Sequence, residues 1–356
     1  MACSEEVGML HRMVQIPSAT GAEQRLAAYL VAQMRELGFR ACQDDIGNVI
    51  GEIGDGRLGP TVMLLGHMDT VPGYLPVAIN GDELSGRGAV DAKAALATMI
   101  WAAVRAVGRT AGRIVVAGAV GEEGTSPGAR HLLSGDKPDA VVIGEPSGAR
   151  TVVLGYKGIM RISLDVTRKP MHTSAPAEKA VEVAADFWHD VQDHVNVKGA
   201  QARPFERAAA TLVGLRGDIT AARAEILCRT PIGFDAAGFR SWLESRAGGD
   251  NLTIYEEVPA VRSRQVDPVV QSLSSAVREH GTAARLKLKL GTSDMNVVGP
   301  VWSVPIAAYG PGDSRLCHSD DERISLTEYL LAIEVLSAAV PRIAGRLCGA
   351  ARKAPR

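Results

Sequence analysis

Three apolar runs in the first half of the chain end the same way. VMLLGHMD closes on His67 and Asp69, VAGAVGEE on Glu122 and Glu123, and AVVIGEP on Glu145. The middle run is β-branched and apolar on both faces up to Gly121, as a strand covered on two sides must be. Strands of that kind belong to a parallel sheet with helices on its faces, and in open α/β sheets ligands bind at the carboxyl ends of the strands. The doublet Glu122–Glu123 is the odd member. Taken alone it is equally a solvated turn ahead of a helix, so the rest of the chain has to decide.

The surrounding sequence alternates strand and helix. RLAAYLVAQMRELGF, DAKAALATMIWAAVRAV and GARHLLS read as helices between the apolar runs, which argues for a largely parallel α/β sheet. After Gly155 the texture changes. GIMRISLDVTR alternates apolar and polar residues, followed by the helical AEKAVEVAADFWHDVQDHV, then ARAEILCRTPIG, FDAAGFRSWLESR and NLTIYEEV. Strand, helix, strand, helix, strand with half-exposed periodicity predicts a small α+β domain whose sheet is open on one face. From about Asp267 the first texture resumes with PVVQSLSSAVREHG, SVPIAAYGP and LTEYLLAIEVLSAAV. The expectation is a catalytic-type domain over 1–155 and 266–356, split by an inserted domain over 156–265. A chain of 356 residues has room for both.

Composition excludes several classes of function. With 46% hydrophobic residues, 22% charged and a net charge of -1, the chain is built for neither nucleic acid nor an anionic membrane. Cys3, Cys42, Cys228, Cys317 and Cys348 form no CxxC pair and read as reduced thiols. No apolar run approaches membrane-spanning length, and MACSEEVGMLHRMVQIPSATG lacks the apolar core of a signal peptide, so a cytoplasmic location is expected. RLCGAARKAPR at the end reads as a frayed tail.

GRGAVDAK adds Asp91 at the start of a helix, bringing several acids and His67 to one sheet edge. Unpaired, those acids would repel and lose solvation, so a bound cation is the economical explanation. His67 and Asp69 are two apart, so on a strand both face the same way, and Asp69 can fix the imidazole tautomer. Imidazole plus carboxylates without a thiolate pair suits zinc, cobalt or manganese. There are more ligands than one tetrahedral ion uses, which points to two ions bridged by a carboxylate.

GHMDTVPG, GRGAVDAK, GEEGTSPGA and GEPSG, in this order, with LCHSDDE near the end, resemble the metal-dependent amidohydrolases of the M20 peptidase family over essentially the whole chain. The resemblance implies a mostly parallel catalytic domain holding two zinc ions, with cobalt as a substitute, and an inserted ferredoxin-like domain that forms a homodimer. It implies His67, Asp91 and Glu145 on one ion and Asp91, Glu123 and His318 on the other, with Asp91 bridging and a cis peptide between Asp91 and Ala92. Glu122 becomes the general base, so that one acid of the doublet coordinates and its neighbour moves protons. His172, in MHTSAP, matches the histidine that steadies the oxyanion across the dimer, and Arg229, in ILCRTP, the arginine that clamps a substrate carboxylate. Two departures stand out. LRGDITAARAEILCR lacks the asparagine that many relatives carry, and Cys317, read as a small buried residue, stands where relatives often have an acid.

KLGTSDMNVVG and AAYGPGDSRLCH are most similar to the branch of the family that releases lysine or ornithine from the terminal glutamate of a small acidic amino-group carrier protein. In that reading Asp294 pairs with the ammonium of the departing amino acid, its plainer role being a helix N-cap, and Arg203, Arg207 and Arg216 are candidates for meeting the carrier. An acetylornithine deacetylase, an exopeptidase of the same family and a catalytically inactive scaffold remain alternatives at this stage.

Overall fold

A computed structural model describes residues 4–197 and 202–351. The chain divides into two compact units. One comprises Met1–Gly155, Ser263–Lys287 and Ser293–Arg356, and the other Tyr156–Arg262 with Leu288–Thr292.

The first unit is built on the apolar runs. Arg113–Ala119, Thr61–His67, Ala140–Gly144 and Ile306–Tyr309 lie side by side and parallel, with His67 opposite Ala119 and Tyr309 opposite Gly144. Antiparallel strands flank this core: Val49–Gly54 pairs with Arg113–Ala119, and Arg40–Gln43 with Val49–Gly54. On the far side Ala308 of the Ile306–Tyr309 strand pairs antiparallel with Val153. The central strands are buried along almost their whole length. This is why they read as unbroken apolar runs rather than as alternating ones.

The helix Lys93–Ala106 packs on this sheet and against the long helix Leu326–Ala351, which also covers Pro268–Glu279. Its many alanines bring it close to the strands. A side chain on Gly144 would stand 2.8 Å from the end of Met99, so the helix lies close over this strand. Leu326–Ala351 takes in the first part of the expected frayed tail, a correction; the rest of that tail lies outside the described residues. Among the described residues no helix is long and apolar enough to cross a membrane.

The second unit is a four-stranded antiparallel sheet in the order Ala209–Gly217, Ala221–Thr230, Gly158–Thr167, Asn251–Val258. Met160, Ile162, Leu164 and Val166 alternate with Arg161, Ser163 and Asp165, and the apolar set joins Phe187, Val191, Phe239 and Leu243 of the helices Ala180–Val197 and Ala236–Ala247. One face of the sheet is thus covered and the other is not, as its periodicity predicts. Sequence reading missed the edge strand Ala209–Gly217. Its burial alternates, but apolar Val213 and Leu215 stand at exposed positions, so the sequence shows no apolar/polar alternation.

Gly158 sits at a crowded point of this sheet. A Cβ there would lie 2.5 Å from the Val258 carbonyl and 2.7 Å from the Ala260 nitrogen, both backbone atoms that cannot turn aside. Gly158→Ala is expected to lower the unfolding free energy by about 1–3 kcal/mol. Urea unfolding checks this, and an unchanged midpoint would contradict the crowding.

Candidate metal centre

His67 ends a buried strand, and its ring is itself buried. Its Nδ1 lies 3.0 Å from the Asp69 carbonyl oxygen and 3.4 Å from the Asp69 carboxylate, which turns Nε2 toward the edge of the sheet. The backbone carbonyl is therefore the nearer partner, where the sequence pattern suggests the carboxylate alone. The Asp69 carboxylate has a second task. It accepts from the backbone N–H groups of Glu122 and Glu123, both at 3.0 Å, and from the Thr20 hydroxyl at 2.8 Å. A buried carboxylate under the strand end thereby orients the whole acidic doublet. Glu23 assists by accepting from Gly121 N–H at 3.2 Å.

Asp91 lies between two imidazoles. Its Oδ1 is 3.4 Å from His67 Nε2, and its Oδ2 is 3.3 Å from His318 Nε2. His318 Nε2 is also 2.9 Å from Glu123 Oε1, and His67 Nε2 is 4.0 Å from Glu145 Oε1. Two clusters result, His67 with Glu122 and Glu145, and His318 with Asp91 and Glu123. The Asp91 oxygens reach both.

The Asp91 segment is held by a clamp that sequence reading missed. Buried Glu322 accepts from the N–H groups of Val90 and Asp91 at 2.9 and 3.0 Å, and its other oxygen accepts from Arg87 at 2.9 Å. Arg87 also donates to the Ser319 carbonyl at 2.9 Å, next to His318. One ion pair thus ties the Asp91 turn to the His318 turn. The Asp91–Ala92 peptide is cis, and His318 adopts φ 61°, the left-handed region.

The charges of the site answer one another. Burial alone would discharge His67, but Asp69, Asp91 and the charge of Glu122 outweigh it and hold its pKa well above the ordinary value. Hydrogen bonds accepted by the Asp91 and Glu123 carboxylates raise His318 to about 10. Burial would raise Asp91, yet the two histidines press it far below the carboxylate range. Glu122 goes the other way. Burial raises its pKa well above normal, and Glu145, Asp294 and Glu123 add to this against His67.

These residues fit a pair of divalent ions. His67 Nε2 is buried with no hydrogen-bond partner, an orphaned donor-acceptor atom aimed at carboxylates. Two ligands about 2.0–2.1 Å from one tetrahedral ion stand roughly 3.3 Å apart. That is the spacing of each Asp91 oxygen from its histidine.

Asp294 shares the environment of the centre without belonging to either cluster. It is buried, one oxygen has no hydrogen-bond partner, and its pKa is raised to about 6 by burial, with Asp69 adding and His67, Ser126 and Arg130 opposing. The N-cap alternative is corrected: Ser293 caps this helix, in a reciprocal box with Asn296, and Asp294 is its first residue. Cys317 is corrected too, being half-exposed rather than buried.

His172 and Arg229 belong to the second unit. A backbone N–H from Ser174 reaches His172 Nδ1 at 3.2 Å, which leaves the ring proton on exposed Nε2. Arg229 donates to the Thr292 hydroxyl at 2.5 Å, and that hydroxyl donates to the Lys157 carbonyl. Burial lowers the Lys157 pKa to about 8, with Arg207 and Arg229 adding to the effect. Arg203 and Arg207 are exposed, while Arg216 pairs with Glu225 at 3.1 Å.

Paired histidine–carboxylate clusters joined by one aspartate at the edge of a parallel sheet define a metal-dependent hydrolase class of site. Residues 63–342 match the peptidase family M20/M25/M40, and the chain belongs to that family. Among relatives, the chain is 40% identical over 352 residues to the LysW-lysine hydrolase of Deinococcus radiodurans, covering 95% of this chain and 96% of that one. It is 31% identical over 288 residues to the LysW-lysine/LysW-ornithine hydrolase of Saccharolobus islandicus, covering 77% and 81%. The fold is shared with aminopeptidase PepT of Bacillus cereus at TM-score 0.80 and 19% identity, over 97% of this chain and 99% of that one. It is also shared with the Bacillus subtilis YXEP protein, described as a dinuclear metal binding peptidase of the family, at TM-score 0.68 and 13% identity over 96% and 98%.

Metal-stripped protein is expected to take up two divalent ions per chain. Asp91→Asn should weaken both ions, while Glu123→Gln should weaken chiefly one. Elemental analysis after dialysis checks this, and equal losses in the two variants would contradict a bridging Asp91.

Proposed function

We propose that the protein hydrolyses the amide that joins lysine or ornithine, through its α-amino group, to the terminal glutamate of a LysW-type amino-group carrier. The observation that carries this reading is the 40% identity to a LysW-lysine hydrolase over nearly the full length of both chains. Retention of His67, Asp91, Glu122, Glu123, Glu145 and His318 supports an active enzyme rather than a scaffold. The reading includes zinc, with cobalt as a substitute, and a cytoplasmic, biosynthetic role.

In this reading His67, Asp91 and Glu145 hold one ion, and Asp91, Glu123 and His318 the other. Bound there, the ions would acidify water and polarise the scissile carbonyl. Glu122, oriented through its backbone by Asp69, takes the proton from the attacking water and returns it to the leaving α-amine. His172 offers its Nε2 proton to the oxyanion across a homodimer. Val213 and Leu215, exposed on the edge strand Ala209–Gly217, support pairing with a second copy of the chain. Arg229 receives the substrate's carboxylate as a forked donor. The unpartnered oxygen of Asp294 suits the side-chain ammonium of lysine or ornithine, a positive charge that satisfies a buried acid.

Two measurements test the reading. Glu122→Gln should retain both ions yet lose ~10²- to 10⁴-fold in turnover. Loss of an ion from that variant would make Glu122 a ligand, a role that its place beside His67 and Glu145 also permits. Comparison of kcat/KM should favour the carrier conjugate over acetylornithine and acetyllysine. A preference for acetylornithine of about tenfold, or 1.4 kcal/mol of transition-state binding, would assign the protein to free-metabolite deacylation instead.

A further inference from the structure

Two stretches of the first unit reach the metal centre as the arms of a fork. Glu83–Ser85 and Arg323–Ser325 pair antiparallel, with Leu84 opposite Ile324, and Gly86 N–H extends the pairing by donating to the Glu322 carbonyl at 3.2 Å. From there one arm runs forward to Asp91 and the other back to His318. Side chains then take over from backbone pairing. One Glu322 oxygen accepts from Val90 and Asp91 N–H, and the other accepts from Arg87 Nη1, which also donates to the Ser319 carbonyl. The carboxylate is wholly buried and the guanidinium side chain only 11% exposed, so water competes little for these charged hydrogen bonds. Lys93 adds a second cation near Glu322. Its buried ammonium donates to the Ile16 carbonyl at 2.8 Å, and the charge of Glu322 opposes the fall in its pKa, to about 8, that burial causes.

The two ions of the proposed centre depend on this fork unequally. His67 ends one central parallel strand and Glu145 follows another, so the ion they share with Asp91 has two ligands set by the sheet. The other ion has the reverse arrangement. Asp91 and His318 both stand on the fork, and only Glu123 is held from the sheet, through its N–H bond to Asp69. His318 is also the most exposed of the five ligands, with its backbone in the left-handed region. Its place therefore rests heavily on the tether from Arg87 to Ser319, the next residue.

We propose that Arg87 and Glu322 are positioning residues for one ion in particular, the ion bound by Asp91, Glu123 and His318, and that the fork they close sets its affinity while leaving that of its neighbour to the sheet. The inference rests on the two-ion reading above. Groups that orient metal ligands without touching the metal contribute about 10- to 100-fold to affinity. Here that contribution falls on one of two adjacent ions.

The test is a titration of zinc into metal-stripped protein in competition with a chelator, which reads two dissociation constants per chain. The constant that Glu123→Gln weakens identifies the His318 side. Glu322→Gln leaves Arg87 and Lys93 buried without their acid and threatens folding, so Arg87→Gln, which keeps both backbone bonds of Glu322, is measured beside it. In each variant the His318-side ion should bind about 10- to 100-fold more weakly, while the other ion keeps its parent affinity. Arg87→Lys, the mildest change, keeps the charge but loses the planar fork, and should show the same split at smaller amplitude. A role in general stability would lower the unfolding midpoint without dividing the two ions. Equal weakening of both ions, or of neither, would overturn the inference and leave the two-ion reading intact. A parent protein that binds a single ion would overturn that reading, and the inference with it.

Discussion

Everything at the sheet edge turns on the carboxylate of Asp91. Its two oxygens lie 3.4 and 3.3 Å from nitrogens of different histidines, and the carboxylates of Glu122, Glu123 and Glu145 crowd around the same point. Like charges in a partly buried site raise one another's free energy, and the two imidazoles answer only part of the excess. A pair of divalent cations held there would relieve the repulsion and, by the same charge, would prepare water for attack. Stability and chemistry would then impose one demand on the site.

The scaffold meets that demand with buried groups that touch no ligand. Asp69 holds the backbone of the doublet, so that Glu122 and Glu123 leave one strand end in different directions. Glu322 holds the backbone at Asp91 and, through Arg87, the segment beside His318. Two acids thus position their neighbours by accepting N–H bonds.

The sequence makes several candidate site residues legible because they terminate elements whose burial is written in their apolar runs. His67, the Glu122–Glu123 doublet and Glu145 are found this way, and the order of the motifs adds Asp91 and His318. The clamp of Arg87 and Glu322 is not legible, since the two residues are 235 positions apart and each resembles a surface charge. The strand Ala209–Gly217 escapes because apolar Val213 and Leu215 fall on its exposed positions, which hides the alternation of its burial. Ser293, not Asp294, caps its helix, a distinction of one residue that composition cannot make.

Anomalous diffraction from crystals of the zinc-loaded protein tests the central claim most directly. The account predicts two peaks about 3.5–4 Å apart, one on each side of the Asp91 carboxylate, with His67 and Glu145 at one and Glu123 and His318 at the other. A single peak, or two peaks that Asp91 does not join, would contradict it.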